Sequence, residues 1–173
     1  MSRRVSLNYR RALGDPVSDE VQCVLILITH EDLDFDVRLC SDPAERISVE
    51  PLVYGTRSSW LNPDGEPWLY AIMSAVIPDD RAEAPPAAEI VLANVDSRII
   101  EALRSTTTPA RFDIAVVLAS APDLVEFEAL DFSLASVPYD AAEITLSISR
   151  ESEEGEYWPA QRMTRDRLPG LFK

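Results

Sequence analysis

Short runs in which apolar and polar residues alternate dominate this chain, and this period of two predicts strands. Residues 21–28 form a continuous apolar run rich in branched side chains, which favours a buried strand. Turns containing proline with Asp or Asn separate the runs. The pattern predicts a mainly β protein, either a β-sandwich or a half-open barrel. Its alternating apolar positions are Phe35, Val37 and Leu39; Phe112, Ile114, Val116 and Leu118; Leu130, Phe132 and Leu134; and Ile144, Leu146 and Ile148.

One segment has helical spacing instead. Asp96 can cap residues 97–105, in which Ile99, Ile100 and Leu103 fall on one face. The segment lies between two predicted strands, so we expect a single α-helix flanking the sheet.

The length of 173 residues predicts a single domain covering residues 1–173. Three segments stand apart from its strand pattern: a basic N-terminal arm (1–14), an aromatic-rich loop (52–70) and a C-terminal arm (151–173). The basic N-terminus has no apolar segment of the kind found in secretory signals, and no apolar run is long enough to span a bilayer. We therefore expect synthesis in the cytoplasm and no membrane partner.

The aromatic-rich loop follows neither the strand nor the helix period. Its rings are interleaved with Gly, Ser, Asn and Pro. Two interpretations are open: an exposed contact loop, or a hairpin whose aromatics fold back on the core. The rings concerned are Tyr54, Trp60, Trp68 and Tyr70.

Charge is distributed unevenly along the chain. The net charge is −14, but residues 1–11 carry +4 and residues 161–173 carry +3, which leaves −21 on residues 12–160. Such an acidic protein is repelled by duplex DNA, so specific nucleic-acid binding is not expected. Basic ends on an acidic body predict that each terminus binds a neighbouring copy. The alternative is that the termini are solvated or fold back on their own body.

No catalytic set is visible. His30 is the only histidine, and five glycines provide little for a phosphate-binding loop. If residues 30–36 are extended, Asp32, Asp34 and Asp36 share one face and could bind a hard cation, although a half-buried strand with a polar face has the same pattern. Cys23 and Cys40 lack metal-ligand spacing and predict buried free thiols. We predict no enzyme activity, metal or cofactor.

Several short sequence segments, spread over nearly the full length of the chain, resemble those of a known protein family. The chain resembles the phage tail proteins known as domain of unknown function 1833, which are found among siphophage tail genes. The stretch from Val53 to Trp68 is longer than the usual connection in that family. The segments that carry the resemblance are Leu7–Leu13, Val24–His30, Ile77–Asp80, Ile90–Asp96, Arg98–Arg104, Val116–Asp123, Val137–Asp140 and Leu168–Phe172.

The resemblance implies a minor tail protein of the virion, similar to distal tail proteins that connect the tail tube to the central hub. It further implies a tail-tube-like β fold and a homo-oligomeric ring, commonly a hexamer, with the tube, hub or baseplate and tape measure proteins as partners and DNA passing through the ring. The alternatives are a trimeric baseplate hub or a tail completion protein. A carbohydrate-binding β-sandwich, with Trp60, Trp68 and Tyr70 stacking on sugars, is the alternative from another class.

The expected interface combines the charged termini with aromatic and apolar side chains. The segment Leu168–Phe172 is expected to be buried against a neighbour, with docking on its own subunit as the alternative. The residues predicted to contact partners are Arg3, Arg4, Arg10, Arg11, Trp60, Trp68, Tyr70, Arg162, Arg165, Arg167, Leu168, Leu171 and Phe172.

Overall fold

A computed structural model shows a mostly β chain with one short helix and a single curled, half-barrel sheet of ten strands. The predicted fold class is thus confirmed, in the half-open barrel form. The structure describes residues 5–33, 35–76, 87–93, 108–136 and 143–150, together with Arg167 and Gly170.

The strands that the alternation predicted are present, and four short ones accompany them. The helix predicted over residues 97–105 lies outside the described residues. The elements are α1 (Leu7–Gly14), β1 (Gln22–Thr29), β2 (Val37–Cys40), β3 (Glu45–Ser48), β4 (Val53–Thr56), β5 (Trp68–Tyr70), β6 (Ile72–Val76), β7 (Ala87–Ala93), β8 (Arg111–Leu118), β9 (Ala121–Ser136) and β10 (Glu143–Ser149).

The strand order explains the curl of the sheet. The order is β3-β4-β5-β2-β1-β8-β9-β10-β7-β6, and all neighbours are antiparallel except β2 and β5. Only Ala71 separates β5 from β6 along the chain, although β5 pairs with β2 and β6 pairs with β7 at the far end of the order. The sheet must therefore curl until its last strand, β6, comes back to β5, which is the third strand from the other end of the order.

The curled sheet has a core on each face. The larger core contains alternate residues of β1 and β8, such as Ile26 and Phe112, together with apolar residues of β2, β7, β9 and β10. The intervening residues of the same two strands, such as Leu25 and Val117, belong to a second core on the other face. Burial on both faces is the reason that residues 23–28 are continuously apolar rather than alternating.

The long strand β9 departs from the simple alternation. The pattern predicted Leu130, Phe132 and Leu134 on one face, but Leu130 packs against the second core while the other two join the larger one. Asp131, between them, has a positive φ of 61°, and the pairing of β8 with β9 shifts register between Phe112 and Ile114. This local irregularity moves Leu130 to the opposite face.

The helix α1 was not predicted as a helix. The Ser6 hydroxyl accepts a hydrogen bond from the Tyr9 backbone N–H at 3.1 Å, which caps the N-terminus. The Ser6 backbone N–H donates to Oε2 of Glu126 on β9 at 2.7 Å and attaches the helix to the sheet. No residue of α1 is buried. Neither this helix nor any other described one has the length and apolarity to span a membrane.

Candidate interaction surface

The aromatic loop, residues 57–67, covers the second core. The indole rings of Trp60 and Trp68 are stacked with centroids 5.5 Å apart and planes inclined by 28°. Both side chains are buried, and Trp68 Nε1 donates to the carbonyl oxygen of Ser58 at 3.2 Å. Of the two interpretations of this segment, the hairpin whose aromatics fold back on the core holds for Trp60 and Trp68, whereas Tyr54 and Tyr70 are exposed.

Asn62 organises the loop from the inside. Its Nδ2 donates to the carbonyl oxygens of Ser58 at 2.9 Å and Glu66 at 2.7 Å, and its Oδ1 accepts from the Glu66 N–H at 3.2 Å. The buried amide thus satisfies backbone groups that a loop would otherwise expose.

Two short hydrogen bonds attach the loop to the start of β9. The Ser58 hydroxyl donates to the carbonyl oxygen of Pro122, and the Ser59 N–H donates to Oδ1 of Asp123, each at 2.7 Å. The bonds from Ser59 hold the pKa of Asp123 below its usual value because they favour the charged carboxylate. Both contacts join segments that are 64 residues apart in the sequence.

Arg38 links the other side of the loop to β2. Its buried guanidinium donates to Oδ2 of Asp36 and Oε2 of Glu66, each at 3.0 Å, while its Nε has no hydrogen-bond partner. This basic side chain on an otherwise apolar strand serves the internal packing of the loop.

The three aromatic residues predicted at the interface have different positions. Trp60 and Trp68 pack inside their own chain, so neither ring offers an open face to a partner or a sugar. Tyr70, on β5, is 39% exposed and retains an accessible surface. The rings fold inward because the stacked pair, with Cys40 and Leu25, completes the second core.

Residues 30–33, 35 and 36 lie between β1 and β2, and we call these described residues the acidic turn. The extended strand suggested for residues 32–36 is wrong, because β2 begins only at Val37. His30 Nδ1 accepts from the Asp32 N–H at 2.9 Å, so Nε2 carries the proton and donates to the Thr108 carbonyl oxygen at 3.0 Å. Asp34 is outside the described residues, and no group of three or more potential metal ligands occurs among those described.

The prediction of buried free thiols is confirmed. Cys23 and Cys40 lie on neighbouring strands in the second core. The interaction with the neighbouring thiol of Cys23, together with burial, raises the pKa of Cys40, whereas the same interaction lowers the pKa of Cys23 against the effect of burial. Cys40 Sγ also donates to the Asp42 carbonyl oxygen at 3.2 Å, which favours the protonated thiol at this position.

The first surface suited to another chain is the open side of β6. This strand pairs with β7 on one side, and the part of the chain that the structure describes places no strand on the other. Met73 and Ala75 pack against the larger core, whereas Ile72 and Val76 are 57% and 63% exposed. We call this unpaired side of residues 72–76 the open seam of the half-barrel.

The second surface is the outer face of α1. Tyr9 and Ala12 are partly buried, whereas Leu7, Arg10 and Arg11 are exposed. Helical spacing puts the last three together on the face opposite Tyr9 and Ala12. Two arginines therefore flank an exposed leucine.

Most of the remaining predicted interface residues fall beyond the described part of the chain. Arg167 is described and is exposed. Those outside are Arg3, Arg4, Arg162, Arg165, Leu168, Leu171 and Phe172.

Sequence reasoning missed the open seam, although a signal was present. Ile72, Ser74 and Val76 alternate with Met73 and Ala75 directly after the aromatic-rich segment. In a segment of only five residues, apolar positions on both faces fit the end of a loop as well as they fit a strand. Only the pairing with β7 identifies the strand and leaves its other side open.

No protein-family model matches the sequence, and no curated protein matches it either. The resemblance to phage tail proteins rests on the short sequence segments between Leu7 and Phe172 and stays a prediction.

Proposed function

We propose that this chain is a non-enzymatic structural subunit of a bacteriophage tail, a distal tail protein whose copies form a ring between the tail tube and the central hub. The proposal combines the family resemblance with a mainly β fold whose last strand, β6, is paired on one side only within the described residues. Its function is assembly, so its working surfaces are those that contact other chains.

The open seam is the observation that carries the proposal. An edge strand exposes unpaired backbone groups, and monomeric proteins protect such edges with charge, proline or a bulge. At the opposite end of the strand order, β3 carries Glu45 and Arg46 and has this protection. The strand β6 has the sequence IMSAV, without charge or proline, and exposes Ile72 and Val76. Such an edge is suited to pairing with a strand of another chain.

The charge distribution supports contacts between unlike surfaces. The described N-terminal helix is basic, while residues 12–160 carry a net charge of −21. Opposite potentials on two parts of one chain favour head-to-tail association, which closes into a ring when the rotation between copies permits it.

The burial of Trp60 and Trp68 argues against the sugar-binding alternative. Aromatic platforms for sugars need accessible ring faces, and these two rings are stacked on each other under the loop. A trimeric hub or a completion protein would use the same seam, so copy number in the tail separates those alternatives from a six-fold ring.

The seam is tested by placing charge on it. We expect the purified chain to form a discrete oligomer in size-exclusion chromatography with light scattering. The double variant Ile72→Lys, Val76→Lys should weaken that oligomer at least about tenfold, since charge blocks strand addition. Val49→Lys with Leu52→Lys is the matched control, because these two side chains are 69% and 60% exposed and lie between β3 and β4 rather than on β6. Equal effects of the variant and the control would count against the seam as an interface.

The location is tested in phage particles. Electron microscopy of intact virions should place this chain as a ring at the distal end of the tail tube. A chain that is absent from purified virions, and that is a stable monomer with measurable turnover, would refute the proposed function.

A further inference from the structure

The helix α1 is attached to its own chain mainly at its beginning. The Ser6 N–H bond to Glu126 and the partly buried Tyr9 and Ala12 hold the inner face. On the outer face, Leu7 is 70% exposed. Neither Arg10 nor Arg11 has an ion-pair partner within the described ranges. The outer face thus presents an apolar side chain between two unpaired positive charges.

The acidic turn presents the opposite pattern. Phe35 is 61% exposed, which is unusual for a phenylalanine in a turn with a buried core nearby. Glu31 and Asp32 precede it and are exposed, and Asp36 follows it with its carboxylate beside Arg38. His30 fixes the shape of the turn through Thr108 and the Asp32 N–H. The acidic turn therefore presents one exposed apolar side chain, with acidic residues before and after it in the sequence.

The outer face of α1 and the acidic turn lie at the levels of opposite ends of strand β1. Glu126, which binds the N-terminus of α1, lies between Val125 and Phe127 on β9. These two residues pair with Val117 and Val116 of β8. On the other side of β8, the same two valines pair with Cys23 and Val24, near the beginning of β1. The acidic turn follows Thr29, so six strand residues separate the two levels, or about 20 Å. The eight-residue helix is only about 12 Å long and cannot reach the turn of its own chain.

We propose that the outer face of α1 docks on the acidic turn of a second copy of this chain. Leu7 packs against Phe35 of the second copy, and Arg10 and Arg11 pair with Glu31 and Asp32. A second copy fits the turn by charge complementarity, because the helix carries two positive charges where the turn carries negative ones, and each surface presents one exposed apolar side chain.

The contact is heterologous, since it joins different surfaces of two identical chains. Copies linked in this way form a closed ring or an open filament, depending on the rotation between them. The inference rests on the proposed assembly function and deepens it, because it assigns a second junction in addition to the open seam. It also gives a role to exposed apolar residues at both ends of the sheet.

Charge reversal on each surface, and then on both, tests the contact. We expect Arg10→Glu with Arg11→Glu to weaken self-association at least about tenfold, as measured by sedimentation velocity in low salt. Glu31→Arg with Asp32→Arg should weaken it to a similar extent. The fourfold variant should regain association, because the attraction is restored with its sign inverted. Arg46→Glu on β3 with Arg57→Glu just after β4 changes the net charge equally and should have little effect on self-association.

The outcomes separate this inference from the proposed function. A chain that associates, and whose association is unaffected by either reversal, overturns the docking of α1 but leaves assembly through the seam in place. The same holds for a chain that is monomeric in solution yet present as a ring in purified tails. If both reversals weaken association and the fourfold variant does not recover, the two surfaces contact other partners and the pairing proposed here is wrong. Recovery in the fourfold variant, together with weaker association in high salt, supports it.

Discussion

The indole of Trp68 lies under that of Trp60 and donates a 3.2 Å hydrogen bond to the carbonyl oxygen of Ser58, so the loop and the strand after it form one packed unit. Trp68 belongs to the second core, and Trp60 covers it from the loop. The loop is consequently part of the folded core rather than an appendage.

Truncation of either tryptophan should destabilise the protein. We expect Trp68→Ala to cost about 3–5 kcal/mol of unfolding free energy and Trp60→Ala somewhat less, because a large buried ring leaves a cavity. Urea denaturation followed by circular dichroism measures both values. Tyr70→Ala, on the exposed part of β5, should cost less than about 1 kcal/mol. Tail assembly should suffer in proportion to stability, and a loss of glycan affinity in a stably folded, intact particle would contradict this interpretation.

Gly55 should tolerate no side chain. A Cβ at this position would overlap the carbonyl oxygen of Trp68, which belongs to the backbone of the neighbouring strand and cannot move aside easily. We expect Gly55→Ala to cost about 3 kcal/mol or more through separation of β4 from β5. Gly14→Ala is the control, since a Cβ there has no atom within 4 Å. Thermal unfolding of both variants measures the difference, and equal melting temperatures would show that the two strands separate without cost.

Replacing Arg38 and replacing its two carboxylate partners should lower the free energy of unfolding by different amounts. Arg38→Met keeps an apolar stem in place and removes a buried Nε that has no hydrogen-bond partner, so we expect a cost of about 1 kcal/mol or less. Asp36→Ala with Glu66→Ala leaves the buried guanidinium without either carboxylate and should cost more, about 2–3 kcal/mol. Urea titrations give both values. A larger loss for Arg38→Met than for the double variant would contradict the assignment.

Acid should loosen the aromatic loop at Asp123. Because the folded-state pKa of this carboxyl is lowered by the Ser59 bonds, its contribution to stability is present above the unfolded pKa of about 3.9 and is lost as the pH falls through the folded pKa. Wild type should therefore exceed Asp123→Asn in stability near pH 6, with the difference disappearing in strong acid. Unfolding free energies measured across that range test the sign.

Asp113 provides the opposite case for that experiment. Burial raises its pKa, so the charged carboxylate disfavours folding and protonation in acid relieves the penalty. Relative to Asp113→Asn, wild type should thus gain stability as the pH falls. A difference that changes in the same direction for both residues would show that burial at Asp113 and the Ser59 hydrogen bonds at Asp123 do not control these pKa values.

The sequence by itself determined the major strands and the mainly β class of this protein. The apolar run at residues 21–28 and the alternation around Phe112 and Ile144 reflect local side-chain directions, which depend only on the period of an extended backbone. The buried free thiols could be predicted for a similar reason, since their apolar neighbours already specify burial. Charge asymmetry, likewise, is a property of composition.

Only the tertiary structure decided which candidate surfaces are available. The inward folding of Trp60 and Trp68 depends on a core that β1, β2 and β8 build together, and the turn at residues 30–36 depends on His30 meeting Thr108, which is 78 residues away. The open seam exists because Ala71 joins β5, which pairs inside the sheet, to β6, which is the last strand of the order and pairs among the described residues with β7 alone. Such long-range pairings are absent from local periodicity, because each requires two distant segments to be brought together by the fold.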